Sequence, residues 1–120
     1  MPTASMILGG VPGALMLLIG VPKLLRVQKF VDNMAELHFT GPKLTAVGLF
    51  ELAIGVLAMV PATRNIGLAL IVVNMVAASS SHLGAGQHPS KAAPAAAFGL
   101  IAAADFVALN AAALRALFWA

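Results

Sequence analysis

The sequence predicts an all-α integral membrane protein, a four-helix bundle with a short amphipathic interfacial helix between its first and second spans. Of the 120 residues, 61% are hydrophobic and only 9% are charged, whereas an average soluble domain has about 25% charged residues. The apolar residues fall into four runs of a length that suits helices crossing a bilayer. Four acids and seven bases are too few to cover a soluble protein with so much apolar sequence, which excludes that class.

Charge and cysteine content exclude several functions. The net charge is +3, and the few basic residues stand at the ends of apolar runs, where they anchor helices at the membrane surface. Nucleic acid is therefore not an expected partner. The absence of Cys excludes disulfides, thiol redox chemistry, iron–sulfur clusters and Cys-ligated zinc.

The predicted spans form a single transmembrane domain and cover residues 6–25, 44–61, 65–83 and 92–118. The first run has no positive charge before it, so it is predicted to be a retained helix and not a signal peptide. Residues 27–37 alternate apolar and polar side chains at helical spacing but are too short to span, so this helix should lie at the interface. The connection between the second and third spans is so short that these helices should be antiparallel neighbours.

The distribution of Lys and Arg predicts the orientation. The loop between the first two spans and the loop before the fourth carry five of these residues together, and the other side carries Arg64 and Arg115. Because cytoplasmic loops are enriched in Lys and Arg, both termini are predicted to lie outside the cytoplasm.

Glu51 stands near the middle of the second span, where an ionisable group costs at least a few kcal/mol. Gly48 and Gly55 share its helix face, and small residues there allow a neighbouring helix to approach closely. With a rise of about 1.5 Å per residue, Asn74 and Asp105 should reach a similar depth on two other helices. We therefore expect polar groups from three helices to converge near the midplane.

Two interpretations of this convergence stay open. In one, a buried hydrogen-bond network fixes which helices pair, as interhelical polar contacts commonly do. In the other, the polar groups line a site, with Glu51 and Asp105 as candidate catalytic carboxyls and Asn74, Ser81 and His82 as ligand-binding residues. Two carboxyls sharing such a site would hold one proton between them at neutral pH, the arrangement used in acid–base chemistry.

No metal site is predicted. His38, His82 and His88 fall on one side of the membrane in this topology, but their spacing fits no short ligand motif. Ordinary interfacial histidines are the simpler interpretation.

Two short motifs carry a family resemblance. The first span ends in Gly20, Lys23 and Leu24 at the spacing Gly-x-x-Lys-Leu, and the second span contains Gly-x-x-Glu-Leu-x-x-Gly at residues 48–55. In these motifs the chain resembles the DoxX-like family of small four-helix bacterial membrane proteins. The resemblance implies a four-helix bundle in a bacterial cytoplasmic membrane and a shared motif position for Lys23 and Glu51, which adds Lys23 to the ligand-binding candidates. Asp105 does not map onto the family pattern.

The resemblance also implies a loose link to redox chemistry. Members of the family include a subunit of a thiosulfate:quinone oxidoreductase and membrane partners of soluble redox enzymes. This chain has no Cys and no evident pair of haem ligands within a span. No bound cofactor is therefore expected, with a quinone as the exception that the resemblance leaves open.

Three functions follow as alternatives. The bundle could bind a lipophilic ligand, such as a quinone or an isoprenoid-like molecule, as a membrane partner of a redox enzyme. It could instead be an intramembrane acid–base enzyme of the isomerase, epoxide hydrolase or cyclase type that uses Glu51 and Asp105. The third alternative is a scaffold subunit without chemistry that recruits a soluble or membrane protein, and homo-oligomerisation stays open in all three. A cavity reaching Glu51 and Asp105 would count against the scaffold.

Overall fold

A computed structural model of the chain describes residues 2–119, with side chains placed for residues 6–117. The regular structure of this part is entirely helical, which confirms the predicted fold class. The helices in chain order are α1 (Pro2–Leu24), α2 (Gln28–Ala35), α3 (Pro42–Met59), α4 (Arg64–Gly84), α5 (Ala93–Leu109) and α6 (Ala111–Trp119), with 3₁₀ turns at Pro61–Thr63 and Pro89–Lys91.

The long helices have the length and apolar character of membrane spans. Three segments of the described chain qualify singly, and α5 with α6 adds a fourth if the two are taken as one span. The protein is therefore a small membrane protein. Its two ends are called here the Lys23 end, where α1 finishes and α2 lies, and the Arg64 end, where α3 finishes and α4 begins.

The fourth apolar segment is broken where the sequence predicted one continuous helix over residues 92–118. The axes of α5 and α6 differ by 74°, and Asn110 between them leaves the helical conformation. Its side-chain amide donates to the carbonyl of Phe106 at 2.8 Å and exchanges two hydrogen bonds with the amide of Asn65 at 2.9 and 3.0 Å. An Asn side chain that bonds backbone in this way competes with the helical hydrogen bonds and favours a break.

The amphipathic helix between the first two spans is present as α2. None of its residues is buried, but Phe30, Val31 and Met34 are half-buried while Lys29 and Asp32 are exposed. α2 thus places its apolar side chains against the bundle and its charges outward, as the spacing predicted. Gly41, with a φ of 56°, makes the turn into α3, because positive φ is readily available only to glycine.

Glycines hold α1 and α3 in close contact. A Cβ on Gly13 would lie 2.6 Å from the carbonyl oxygen of Gly55, and a Cβ on Gly20 would lie 3.0 Å from that of Gly48. Such contacts let two helices pack almost backbone to backbone. They also set the register in which the last turn of α1 faces the middle of α3.

The other helix contacts place α4 between α3 and α5, while α5 packs mainly on α4. The buried apolar residues of the core come from four helices, namely Met16, Ile54, Ala58, Leu68, Ile71, Met75 and Ala102. α3 and α5 therefore stand across the bundle from each other, separated by α1 and α4.

Arg64 closes one end of the bundle. Its side chain is only 5% exposed and donates to the carbonyls of Ala58 at 3.0 Å and Met59 at 2.8 Å. These carbonyls belong to the last turn of α3, which has no helical N–H partners of its own. A cation there also opposes the negative end of the helix dipole. A side chain at Gly9 would overlap Arg64, so the small residue makes room for it.

Candidate functional site

A carboxylate held by three helices forms the centre of the site. Glu51 on α3 is 3% exposed. Its Oε1 lies 2.6 Å from Nζ of Lys23, in the last turn of α1. Its Oε2 accepts a hydrogen bond at 3.2 Å from the amide of Asn74 on α4. The carboxylate therefore has a partner on each oxygen.

Lys23 is almost as deeply buried as its partner, with 8% of the residue exposed. The glycine contacts between α1 and α3 bring the two side chains together across the helix pair. In a medium that solvates ions poorly, removing one member of such a pair typically costs about 3–5 kcal/mol, because the other charge is left uncompensated. Each member of the pair therefore depends on the other for its burial.

Two cavities open on this pair. The larger has a volume of about 420 Å³ and the smaller about 140 Å³. Both are lined by Lys23 and Glu51, together with Met34, Ala78 and His82. The larger volume falls in the range of small-molecule sites, roughly 300–1,000 Å³.

The larger cavity has apolar walls and a polar floor. Phe30 and Met34 of α2, Met75 of α4 and Phe98 of α5 contribute the walls. The Lys23–Glu51 pair, which is buried, is called here the floor. This division between a long apolar wall and a few polar groups is typical of sites for lipophilic molecules.

A chain of hydrogen bonds crosses the exposed side of the larger cavity, called here its mouth because the lining residues Glu36 and Lys91 are exposed there. The amide nitrogen of Gln87 donates to a carboxylate oxygen of Glu36 at 2.9 Å. The amide oxygen of Gln87 lies 2.6 Å from Nδ1 of His82, so Nδ1 is the protonated nitrogen in this arrangement. All three residues line the cavity. The chain links the segment after α2 to α4 and the loop that follows it.

The structure brings together five of the six residues proposed from the sequence. Lys23, Glu51, Asn74, Ser81 and His82 all line the smaller cavity. The hydroxyl of Ser81 donates to the carbonyl of Ala77 at 2.8 Å, so its hydrogen atom points back to its own helix.

Asp105 is the residue that does not join this group. It is half-buried on α5, lines neither cavity, and has no hydrogen bond or ion pair within the described chain. The shared proton expected between Glu51 and Asp105 therefore has no counterpart in the structure. α3 and α5 stand across the bundle from each other, and the charged partner of Glu51 is Lys23 on α1.

Sequence reasoning missed the residues of the cavity mouth. Glu36, Gln87 and Lys91 line it, and all three lie in or beside loops whose approach to each other has no local signal. Phe30 and Met34 could have been proposed from the sequence. Both stand on the apolar face of residues 27–37, and an apolar face is expected to pack against the rest of the bundle.

No metal-binding group was found in the part of the chain that the structure describes, in the sense of three or more His, Cys, Asp or Glu side chains close together. His38 and His88 are exposed, and the imidazole of His88 contacts the neighbouring Ser90.

Comparison with known proteins identifies a family. The model of the DoxX-like family matches residues 7–105, a segment that includes both sequence motifs and all six candidate residues. No curated protein and no solved structure matches the chain.

Proposed function

The chain belongs to the DoxX-like family, and we propose that it is a membrane module that binds a lipophilic ligand of the quinone or isoprenoid type. The ligand's polar end would lie at Lys23 and Glu51, with Asn74 holding the second oxygen of Glu51, and its apolar part between α2, α4 and α5. The observation that carries this proposal is the cavity of about 420 Å³ that ends on a buried ion pair.

The buried pair and the cavity beside it add little to the stability of the bundle. Holding a charged pair away from water offers little stability over a well-packed apolar contact. Leaving a cavity beside it forgoes dispersion contacts as well. A four-helix bundle needs neither feature to fold, and both together favour a binding role.

A role as an acid–base enzyme has less support than a role in ligand binding. Asp105 lines neither cavity, so the reaction would depend on Glu51 alone. Glu51 already has Lys23 and Asn74 on its oxygens, which favours a fixed carboxylate over one that exchanges protons with a substrate. The scaffold alternative does not account for the cavity.

A role beside a redox enzyme is part of the proposal. Without Cys the chain would hold the quinone while a partner supplies the electron carriers. Arg26, Lys29 and Lys43 are exposed at the Lys23 end, which supports a cytoplasmic position for that end. They would also suit an acidic surface on the partner.

Photolabelling tests the binding proposal. The probe is a ubiquinone analogue with a diazirine in a ten-carbon tail, applied to the protein in nanodiscs. We expect labelled peptides from α2, α4 and α5. Ala78, which lines both cavities, is replaced by Leu to fill the site, and this variant should lose most of the labelling.

The matched control is Ala53→Leu, an equal enlargement at an exposed position on α3. It should label like the wild type. Equal labelling of the two variants, or labels confined to the lipid-facing surfaces, would remove the support for a site in the cavity.

A further inference from the structure

We infer that the head group of the ligand is uncharged and carries a hydrogen-bond acceptor, as in a quinone, ketone or ester, and is not a carboxylate, phosphate or amine. This inference rests on the proposed function and specifies the chemistry of the same site. It comes from the charge and the unused hydrogen-bonding capacity of the cavity floor.

The charge of the floor is already balanced. Lys23 and Glu51 lie 2.6 Å apart and are 8% and 3% exposed. Whether the shared proton resides on Nζ or on Oε1, the pair has no net charge. An anionic or cationic head group placed beside it would be desolvated without a free counterion, which is unfavourable in an apolar cavity.

The hydrogen-bonding capacity of the floor is not balanced. A Lys ammonium has three N–H donors, and Nζ of Lys23 has one hydrogen bond within the described chain, the one to Glu51. Each carboxylate oxygen of Glu51 accepts one bond, from Lys23 or Asn74, so Glu51 has a donor on both oxygens. Nζ of Lys23 has two N–H groups left for a ligand in the larger cavity, and these require an acceptor.

A carbonyl oxygen matches these remaining donors. It would accept from Nζ of Lys23 without disturbing the ion pair, and hydrogen bonds from a charged donor are stronger than those between neutral groups. The side-chain oxygen of Asn74 also has no partner within the described chain, but Asn74 lines only the smaller cavity.

The charges at the mouth do not alter this assignment. Glu36 accepts a hydrogen bond from Gln87, and Lys91 is exposed. Lys91 could attract an anion to the mouth, but the floor would still have no net charge to hold it.

A set of competitors with the same chain and different heads tests the inference. The set comprises 2-tetradecanone, tetradecyl sulfonate, tetradecylamine and tetradecane, each competing with the photoreactive quinone in nanodiscs. The sulfonate stays ionised at any working pH. We expect the ketone to compete at least tenfold better than the sulfonate, the amine and the alkane.

Glu51→Gln should invert this preference. It keeps the shape of the side chain but leaves Lys23 without a counterion, so the sulfonate should gain at least tenfold relative to the ketone. Lys43→Gln is the matched control, because it removes one positive charge from an exposed position at the same end. It should leave the ratio unchanged. If Glu51→Gln does not fold, the double variant Lys23→Met/Glu51→Gln should show no advantage of the ketone over the alkane.

The outcomes separate the two proposals. A probe that labels no cavity residue would overturn the binding proposal and this inference with it. A probe that labels the cavity and is displaced equally well by the ketone and the sulfonate would overturn the inference alone. So would a sulfonate that gains nothing in Glu51→Gln.

Discussion

Nζ of Lys23 and Oε1 of Glu51 are 2.6 Å apart, and this contact joins the end of α1 to the middle of α3 beside two cavities. The same two residues stand in the motifs that carry the family resemblance. Because the pair is buried and also lines a cavity, substituting either residue should affect both the free energy of unfolding and the binding of a ligand.

Breaking the pair should cost more than removing it. Lys23→Met leaves the carboxylate of Glu51 buried without its counterion, so the free energy of unfolding should fall by about 3 kcal/mol. Lys23→Met/Glu51→Leu should recover most of this loss, because apolar replacements of a buried pair are often neutral. The measurement is unfolding in mixed detergent micelles. Lys43→Met serves as the control, and a Lys23→Met variant as stable as this control would show that the pair is not formed.

Glu51 and Asp105 should behave as independent sites. The structure places them on helices across the bundle, with Asp105 outside both cavities. The effects of Glu51→Gln and Asp105→Asn on stability should therefore add within about 0.5 kcal/mol. A double-mutant cycle in the same micelles measures the coupling. A coupling energy above about 1 kcal/mol would restore the shared proton as an explanation.

The glycine contact between α1 and α3 should tolerate no side chain at Gly13. A Cβ there would lie 2.6 Å from the carbonyl oxygen of Gly55, so Gly13→Ala should destabilise by about 1–3 kcal/mol, as overpacking does. Gly10→Ala is the control on the same helix, because a Cβ at Gly10 meets nothing within 4 Å. This control should be neutral or more stable, since Ala favours helix. Equal effects of the two substitutions would argue against the helix register described above.

The hydrogen bonds at the cavity mouth should slow ligand exchange. Gln87 joins Glu36 to His82, so Gln87→Ala should speed dissociation of the quinone probe several-fold with little change in stability. Gln28→Ala, which removes only a bond within α2 to Asp32, should leave the rate unchanged. To measure the dissociation rate, unlabelled quinone is added in excess and samples are irradiated at successive times. The decrease in labelling with time gives the rate. Identical rates for the two variants would show that the mouth does not control access.

The orientation of the protein can be tested directly. The basic residues concentrated at the Lys23 end predict that this end faces the cytoplasm and that both termini lie outside. A reporter that folds only in the periplasm should be active when fused after residue 120 of the protein produced in bacteria. Activity of a cytoplasm-only reporter at the same place would reverse the orientation and move the cavity mouth to the other side.

The helical class and the family could be predicted because they depend on local patterns. Apolar runs, their breaks at Pro61 and Gly41, and the spacing of residues 27–37 all act within one or two turns. Asn74 could be placed near Glu51 because α3 and α4 are joined by a short connection. The short connection fixes the positions of Asn74 and Glu51 relative to each other along the bundle axis.

The parts that could not be predicted depend on packing between distant segments. The partner of Glu51 is Lys23 because glycines on α1 and α3 set their register, and no local signal gives that register. Asp105 has the depth of a site residue, but the order of helices around the bundle decides its neighbours. At the break, the side chain of Asn110 is paired with that of Asn65, which is 45 residues away in sequence.

The bend between α5 and α6 has a consequence for the surrounding lipid. With about 1.5 Å per residue, the 17 residues of α5 span about 25 Å, whereas the 21 residues of α4 span about 31 Å. A typical hydrocarbon layer is about 30 Å thick, so it matches α4 and exceeds α5. The bilayer beside α5 must therefore thin by several ångströms, or the start of α6 must fill the remaining depth. The hydrophobic mismatch is therefore largest beside α5, since even the 18 residues of α3 span about 27 Å, and the lipid beside α5 should prefer shorter acyl chains.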